Sequence, residues 1–151
     1  MRGRQFGGWR EHANAIVWIA GLVVLIVAAG CSSPGGSLTR DASPEVKQAA
    51  VKERVTARWA ALIRGDVDSA YGFLSPTSRE TVSLAAYRAR SGSAQWRAAA
   101  IESITCEVEA CKVELRVTYD YLVQGKMMRG IQTAMSETWV LDKGAAWLVF
   151  L

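Results

Sequence analysis

Beyond residue 31 few side chains could do chemistry, and no histidine is among them: the only one, His12, precedes Cys31. The three cysteines are Cys31, Cys106 and Cys111. Two thiols without a histidine fall short of the four ligands of a usual zinc site, so no metal and no cofactor is assigned. A redox-active pair normally has C-x-x-C spacing at a helix start, which "CEVEAC" lacks. A carboxylate remains. In "IQTAMSETWVL" strand alternation puts Ile131, Thr133, Met135, Glu137, Trp139 and Leu141 on one face, with Glu137 the acid among them. A carboxyl group in an apolar cavity holds its proton more readily and could exchange it near neutrality, beside Tyr119 or Tyr121. Two plainer placements compete: Glu137 near an open end reached by solvent, or bonded to an Arg from a helix such as Arg58 or Arg88. The candidate pocket is therefore Glu137, Tyr119, Tyr121 and Trp139, and no residue is assigned as catalytic.

The elements that position these groups are strands. "IESITCEVEACKVELRVTYDYLV" alternates as two strands around a tight turn, with Val113, Leu115, Val117, Tyr119 and Tyr121 on one face. Lys112, Glu114, Arg116, Thr118 and Asp120 take the other face, where Asp120 meets solvent. With residues 107–110 as the loop, Cys106 opposes Cys111, Ile104 opposes Val113 and Glu102 opposes Leu115. Directly opposed residues lie within disulfide range, and an oxidising compartment preserves the bond. Two buried thiols are the alternative. "QGKMMRG" then turns the chain into the Glu137 strand, with Val123 opposite Ile131 and Glu137 across from Val117. "DKG" turns it again into "AAWLVFL".

Helices precede the strands. Ser43-Pro44-Glu45 is a helix start: Ser caps, Pro suits the first turn and Glu favours the positive dipole end. Val46, Ala50, Val51, Val55, Trp59, Leu62 and Ile63 follow at helical spacing, and Gly65 closes the helix. Asp66 caps a second, short helix, "SPTS" at 75–78 ends and restarts the chain, and "RETVSLAAYRARSG" spans 79–92 as a third. Helices first and four antiparallel strands after them make an α+β domain over residues 44–151.

This order resembles the NTF2-like superfamily, a cone in which a curved sheet wraps a long N-terminal helix. The helix with Trp59, the turn "ALIRGDVDSAYGFLSP" and the late strands "SETWVLDKGAAWLVFL" carry the likeness. It implies a curved four-stranded antiparallel sheet with the helices packed on it. The hairpin that the family often has before its third helix finds no counterpart between Leu74 and Arg79, and a different α+β meander fits the same order. The superfamily's enzymes use Asp, His and Tyr inside the cone, while many relatives only bind ligands or partners.

The first thirty residues read as an address. Arg2, Arg4 and Arg10 precede an apolar stretch from Ala15 to Gly30 that ends in small residues, the layout of a signal peptide. Its 16 residues fall just short of the ~17 needed for a spanning helix. "AAGC" at 28–31 resembles the lipobox of bacterial lipoproteins, with Ala28 where the family most often has Leu. The resemblance implies cleavage after Gly30 and acylation of Cys31 (diacylglycerol and commonly palmitate), with residues 31–43 as a flexible tether. Two or three acyl chains hold a domain at a membrane stably where one does not. Ser after the Cys implies the periplasmic face of the outer membrane in a Gram-negative cell. An uncleaved anchor is the alternative, and either way the Arg cluster stays inside and residues 32–151 lie outside the cytoplasm.

Charge argues against nucleic acid. From Cys31 onward fifteen Lys plus Arg face thirteen Asp plus Glu without a basic block. "RGD" at 64–66 matches an adhesion tripeptide but sits at a helix end followed by a cap. Met127 and Met128, beside Lys126 and Arg129, form an adaptable contact patch or tuck back over the cone's mouth. There is no Gly-rich phosphate loop, nucleophile elbow or internal repeat. The expectation is a non-enzymatic, lipid-anchored binding or accessory module of the envelope. Its partners are the membrane through Cys31 and a small ligand or envelope protein. An isomerase or dehydratase using Glu137 with Tyr119 or Tyr121 is the runner-up, and a sheet face that dimerises is a third reading.

Overall fold

A computed structural model describes residues 38–151. The expected signal peptide, Cys31 and the first part of the expected tether lie outside the described residues. Four helices are followed by four strands: α1 (Pro44–Ile63), α2 (Val67–Tyr71), α3 (Pro76–Thr81), α4 (Leu84–Ser91), β1 (Gln95–Cys106), β2 (Ala110–Val123), β3 (Lys126–Asp142) and β4 (Ala145–Val149). The strands form one antiparallel sheet in the order β1-β2-β3-β4. This is the expected α+β class.

Capping chemistry sets the helix boundaries. Ser43, Asp66, Ser75 and Ser83 each accept a hydrogen bond from a backbone N–H in the first turn of α1, α2, α3 and α4. Gly65, at φ +77°, ends α1 with Gly65 N–H donating to Leu62 O (3.0 Å) and Asp66 N–H to Ala61 O (2.9 Å). That paired closure needs a left-handed residue, which glycine supplies at least cost. The tripeptide "RGD" is therefore a helix stop and a cap. The single helix expected over 79–92 is two: Val82 is extended and buried, and Ser83 restarts the chain as the cap of α4.

One stripe of α1 is buried, and it differs from the expected one at its ends. Val51, Val55, Trp59 and Leu62 are in the core, but Val46 and Ile63 are exposed. Lys47 and Arg58 take buried stripe positions instead. Lys47 is tolerated because its ammonium uses all three donors, to Arg40 O (2.7 Å), Val108 O (3.0 Å) and Glu107 O (3.3 Å). It thereby ties α1 to the β1–β2 turn and to the segment before α1. That segment is not loose from Leu38 onward: Leu38 bridges to Gly144 and Arg40 pairs with Glu109.

The sheet's register corrects two expectations. Cys106 opposes Cys111 and Ile104 opposes Val113 as expected, but Leu115 faces Ile101, not Glu102, because β1 bulges between Ile101 and Ser103. A second bulge lies between Trp96 and Ala98; such extra residues bend and twist a strand. The β2–β3 connection is only Gln124-Gly125, both at positive φ, the backbone of a two-residue hairpin turn. Val123 therefore opposes Lys126, not Ile131, and Glu137 opposes Val113, not Val117.

A bulge near Asp120 completes the shift, since Tyr119 opposes Ile131 while Tyr121 opposes Met128. Asp120 does not simply meet solvent. Its residue is 6% exposed, and its carboxylate accepts from Gly130 N–H (2.8 Å) and from Arg97 Nε (2.9 Å) and Nη2 (2.8 Å).

The core lies between the helices and one sheet face, around Val51, Val55, Trp59, Leu74, Tyr87 and Trp139 with Val113, Leu115 and Val117 from β2. The segment after α2 covers the outer edge of β4, through Ser75 N–H to Leu148 O (2.8 Å) and Leu148 N–H to Phe73 O (2.9 Å). The opposite sheet face is polar, with ion pairs Arg116–Glu102 (2.7 Å) and Lys112–Glu114 (2.8 Å).

Two predictions follow from these polar ties. Lys47→Met keeps the apolar stem but removes three donors, and should lower stability by about 2–3 kcal/mol in urea unfolding. The Gly130 N–H first, then Arg97, hold the Asp120 carboxyl below its ordinary range. Its stabilisation is thus full above the unfolded-chain value of about 3.9 and is lost as pH falls through the lower folded value. Asp120→Asn should be less stable than the parent at neutral pH and should show a flatter fall in urea midpoint below about pH 4.

Candidate functional site

The buried carboxylate is where alternation put it, on the helix-facing side of β3, and Glu137 is 6% exposed. Consecutive residues of α1 reach it. Arg58 Nη1 donates to Oε1 at 2.5 Å and Trp59 Nε1 donates to the same oxygen at 3.0 Å. From β3 itself Trp139 Nε1 donates to Oε2 at 2.9 Å. The second terminal nitrogen of Arg58 donates to the Tyr87 hydroxyl of α4 at 3.1 Å, and Arg58 Nε has no partner. One acid and one base, both buried, therefore join α1, α4 and β3.

Of the two arginines considered as partners, Arg58 is the one. Arg88 instead makes a forked pair with Asp68 at the surface (2.8 and 2.5 Å). That pair holds the Asp68 carboxyl below its ordinary range and raises the Arg88 guanidinium, the side-chain hydrogen bond being the largest cause of both.

The expected pocket of Glu137, Trp139, Tyr119 and Tyr121 is only half assembled. Glu137 and Trp139 bond directly. Tyr119 stands further off, at the end of a chain of rings in which Trp59 meets Trp96 edge-on (5.2 Å) and Trp96 meets Tyr119 (5.5 Å). Tyr121 is not part of it: it lies past the bulge at the hairpin end of β2 and is 40% exposed. Trp139 is one of the expected pocket residues, whereas the Trp59 indole and the Tyr87 hydroxyl are donors that the sequence reading does not include. The adjacency of Arg58 and Trp59 on a buried stripe was the available signal.

The carboxylate is not open to a substrate. A cleft of about 380 Å³ lies between α1 and β1, lined by Val55, Trp59, Ala60, Ile63, Ala99, Ile101 and Leu115 with Lys52 and Thr56. Another of about 530 Å³ lies between α3 and β4, with Trp147 and Phe150 in its wall. Glu137 lines neither. Trp59 is shared: it lines the first cleft and its N–H holds Glu137.

At the far end of α1, Cys106 and Cys111 are joined by a disulfide (S–S 2.04 Å, Cα–Cα 4.0 Å) beside the turn that Lys47 holds. No group of three or more metal-ligating side chains occurs among the described residues. No helix among them is long and apolar enough to cross a membrane. Met127 and Met128 do not tuck back over the sheet; they are 38% and 46% exposed.

No family model matches the chain, and no curated protein matches it. Among solved structures the fold is similar to that of a SEC-C motif containing protein from Psychrobacter arcticus, with a TM-score of 0.52 at 9% identity. The match covers 68% of this chain and 60% of that one. The likeness is one of fold.

Removing one member of the buried pair strands the other. Glu137→Leu or Arg58→Met alone should cost about 3–5 kcal/mol, whereas the double variant should recover much of that loss in denaturant unfolding.

Proposed function

We propose that the protein is a lipid-anchored, non-enzymatic binding or accessory module of the bacterial envelope, its domain an NTF2-like half-cone outside the cytoplasm. The observation that carries the binding reading is the state of Glu137. A general acid or base needs a lone pair or proton facing substrate, and this carboxylate accepts from a guanidinium and two indoles while lining neither cleft. The α1–β1 cleft, with apolar walls and a single ammonium at Lys52, suits holding a small apolar molecule better than transforming one.

The two bulges in β1, of the kind that bend a strand, and the packing of that strand on α1 support the NTF2-like assignment. The Cys106–Cys111 disulfide supports an oxidising compartment. The anchor rests on "AAGC" at 28–31 and the apolar run before it. Acyl chains on Cys31 would hold the domain at the membrane, leaving its clefts to a small ligand or an envelope protein.

Intact mass and N-terminal peptide analysis of membrane-extracted protein, without reductant, tests this reading. The expected mature chain begins at acylated Cys31 and carries Cys106 and Cys111 as one linked pair. An intact Met1 end with unmodified Cys31 would remove the lipoprotein assignment.

A further inference from the structure

Among the described residues, the β2–β3 hairpin runs past every other element. The first residue of β1, Gln95, opposes Asp120, so beyond Asp120 the two middle strands pair only with each other. Three pairs remain: Tyr121–Met128, Leu122–Met127 and Val123–Lys126. At ~3.4 Å per residue the overhang is about 10 Å long. Every residue from 121 to 130 is exposed. Five large apolar side chains stand in water there: Tyr121 (40%), Leu122 (58%), Val123 (44%), Met127 (38%) and Met128 (46%).

Alternation distributes them over both faces of the ribbon. Leu122 and Met127 share one face, and Tyr121, Val123 and Met128 share the other. A folded protein docked on one face would leave the other wet, whereas a bilayer surrounds a ribbon on all sides. The charge also has one sign. Lys126 and Arg129 lie on the overhang, and no acid follows Asp120 until Glu137. Asp120 itself is engaged by Arg97 and Gly130. Two copies meeting tip to tip would bring like charges together, while an anionic surface attracts both. Long cationic side chains and tyrosine suit the interface between water and lipid.

We propose that the β2–β3 overhang seats in the interfacial zone of an anionic lipid bilayer. Depth is limited by the backbone: outward-facing N–H and C=O groups of a two-stranded ribbon need water, so the tip enters the headgroup zone and not the hydrocarbon core. The overhang matches the ~5–10 Å by which interfacial segments sink. The contact is the domain's own and does not require acylation of Cys31. Leu38, where the described chain enters the domain, bridges to Gly144 at the opposite end of β3 from the hairpin.

The test uses the full chain with Cys31→Ser, which removes any acyl group and leaves the disulfide closed. A nitroxide is placed through Leu122→Cys or, as control at the other end of the sheet, Val108→Cys, and the protein is bound to vesicles. With phosphatidylglycerol present, the label at 122 should shift toward oxygen contact and lose contact with a water-soluble nickel chelate, while the label at 108 stays aqueous. Lys126→Glu with Arg129→Glu, or vesicles of phosphatidylcholine alone, should return the label at 122 toward water. Equal aqueous exposure of both labels on phosphatidylglycerol vesicles overturns the proposal. Shielding at 122 without vesicles also overturns it, since protein would then cover the tip. Because Cys31 is absent, neither result depends on the lipoprotein assignment.

Discussion

The tightest geometric constraint in the fold is the burial of a carboxylate and a guanidinium together. Glu137 and Arg58 are each about 5% exposed as side chains, and removing such ions from water costs several kcal/mol apiece. Only close pairing and further hydrogen bonds offset that cost, so each partner is constrained. Arg58 must present its nitrogens to β3 and to Tyr87 of α4 at once, and Trp59 must turn its N–H to the same oxygen. Apolar surfaces alone tolerate sliding of a helix on a sheet. A pair with fixed donors and acceptors does not, and the α1–β3 alignment is set there.

The rest of the molecule grades away from this pair in two directions. Toward the β1–β2 turn every loose end is tied: Lys47 bonds the turn carbonyls, Leu141 N–H donates to Glu109 O (2.8 Å), and Cys106 is linked to Cys111. Toward the β2–β3 turn the layers thin out. Among the described residues there is neither helix nor third strand beyond Asp120, only a ribbon whose side chains meet solvent. Local opening is easiest where buried contacts are fewest, so mobility should concentrate at that end. The Asp120 carboxylate sits at the boundary, closing the bulge where three strands become two.

What was legible in the sequence is what local chemistry determines. Ser43 and Asp66 announce their helices because capping is decided within four residues, and the period-two pattern of β2 places Val113, Leu115 and Val117 in the core as expected. The buried position of Glu137 follows from the same alternation. The errors lie where a non-local or backbone effect intervenes. Nothing in the hydrophobic pattern marks the bulges in β1, so alternation alone sets Glu102 opposite Leu115. Gln124-Gly125 lacks the usual Asn or Asp of a two-residue turn, so the sequence suggests a longer hairpin loop and a shifted register. Lys47 and Arg58 do not stand out as stripe residues in the sequence because their burial depends on carbonyls and a carboxylate far off along the chain.

The aromatic residues connect the buried pair to the α1–β1 cleft. Trp59 presents two sides: its ring walls the α1–β1 cleft and packs on Trp96, while its N–H holds Glu137. A molecule in that cleft meets carbon and the Lys52 ammonium, and the carboxylate lies behind the indole. Contact with the ionic pair is therefore indirect. Any ligand that required Trp59 to turn would have to break the bond to Glu137, leaving a buried oxygen with one donor fewer. The cleft is thus bounded on one side by an interaction that resists rearrangement, which favours ligands that fit it as it stands over those that would reshape it.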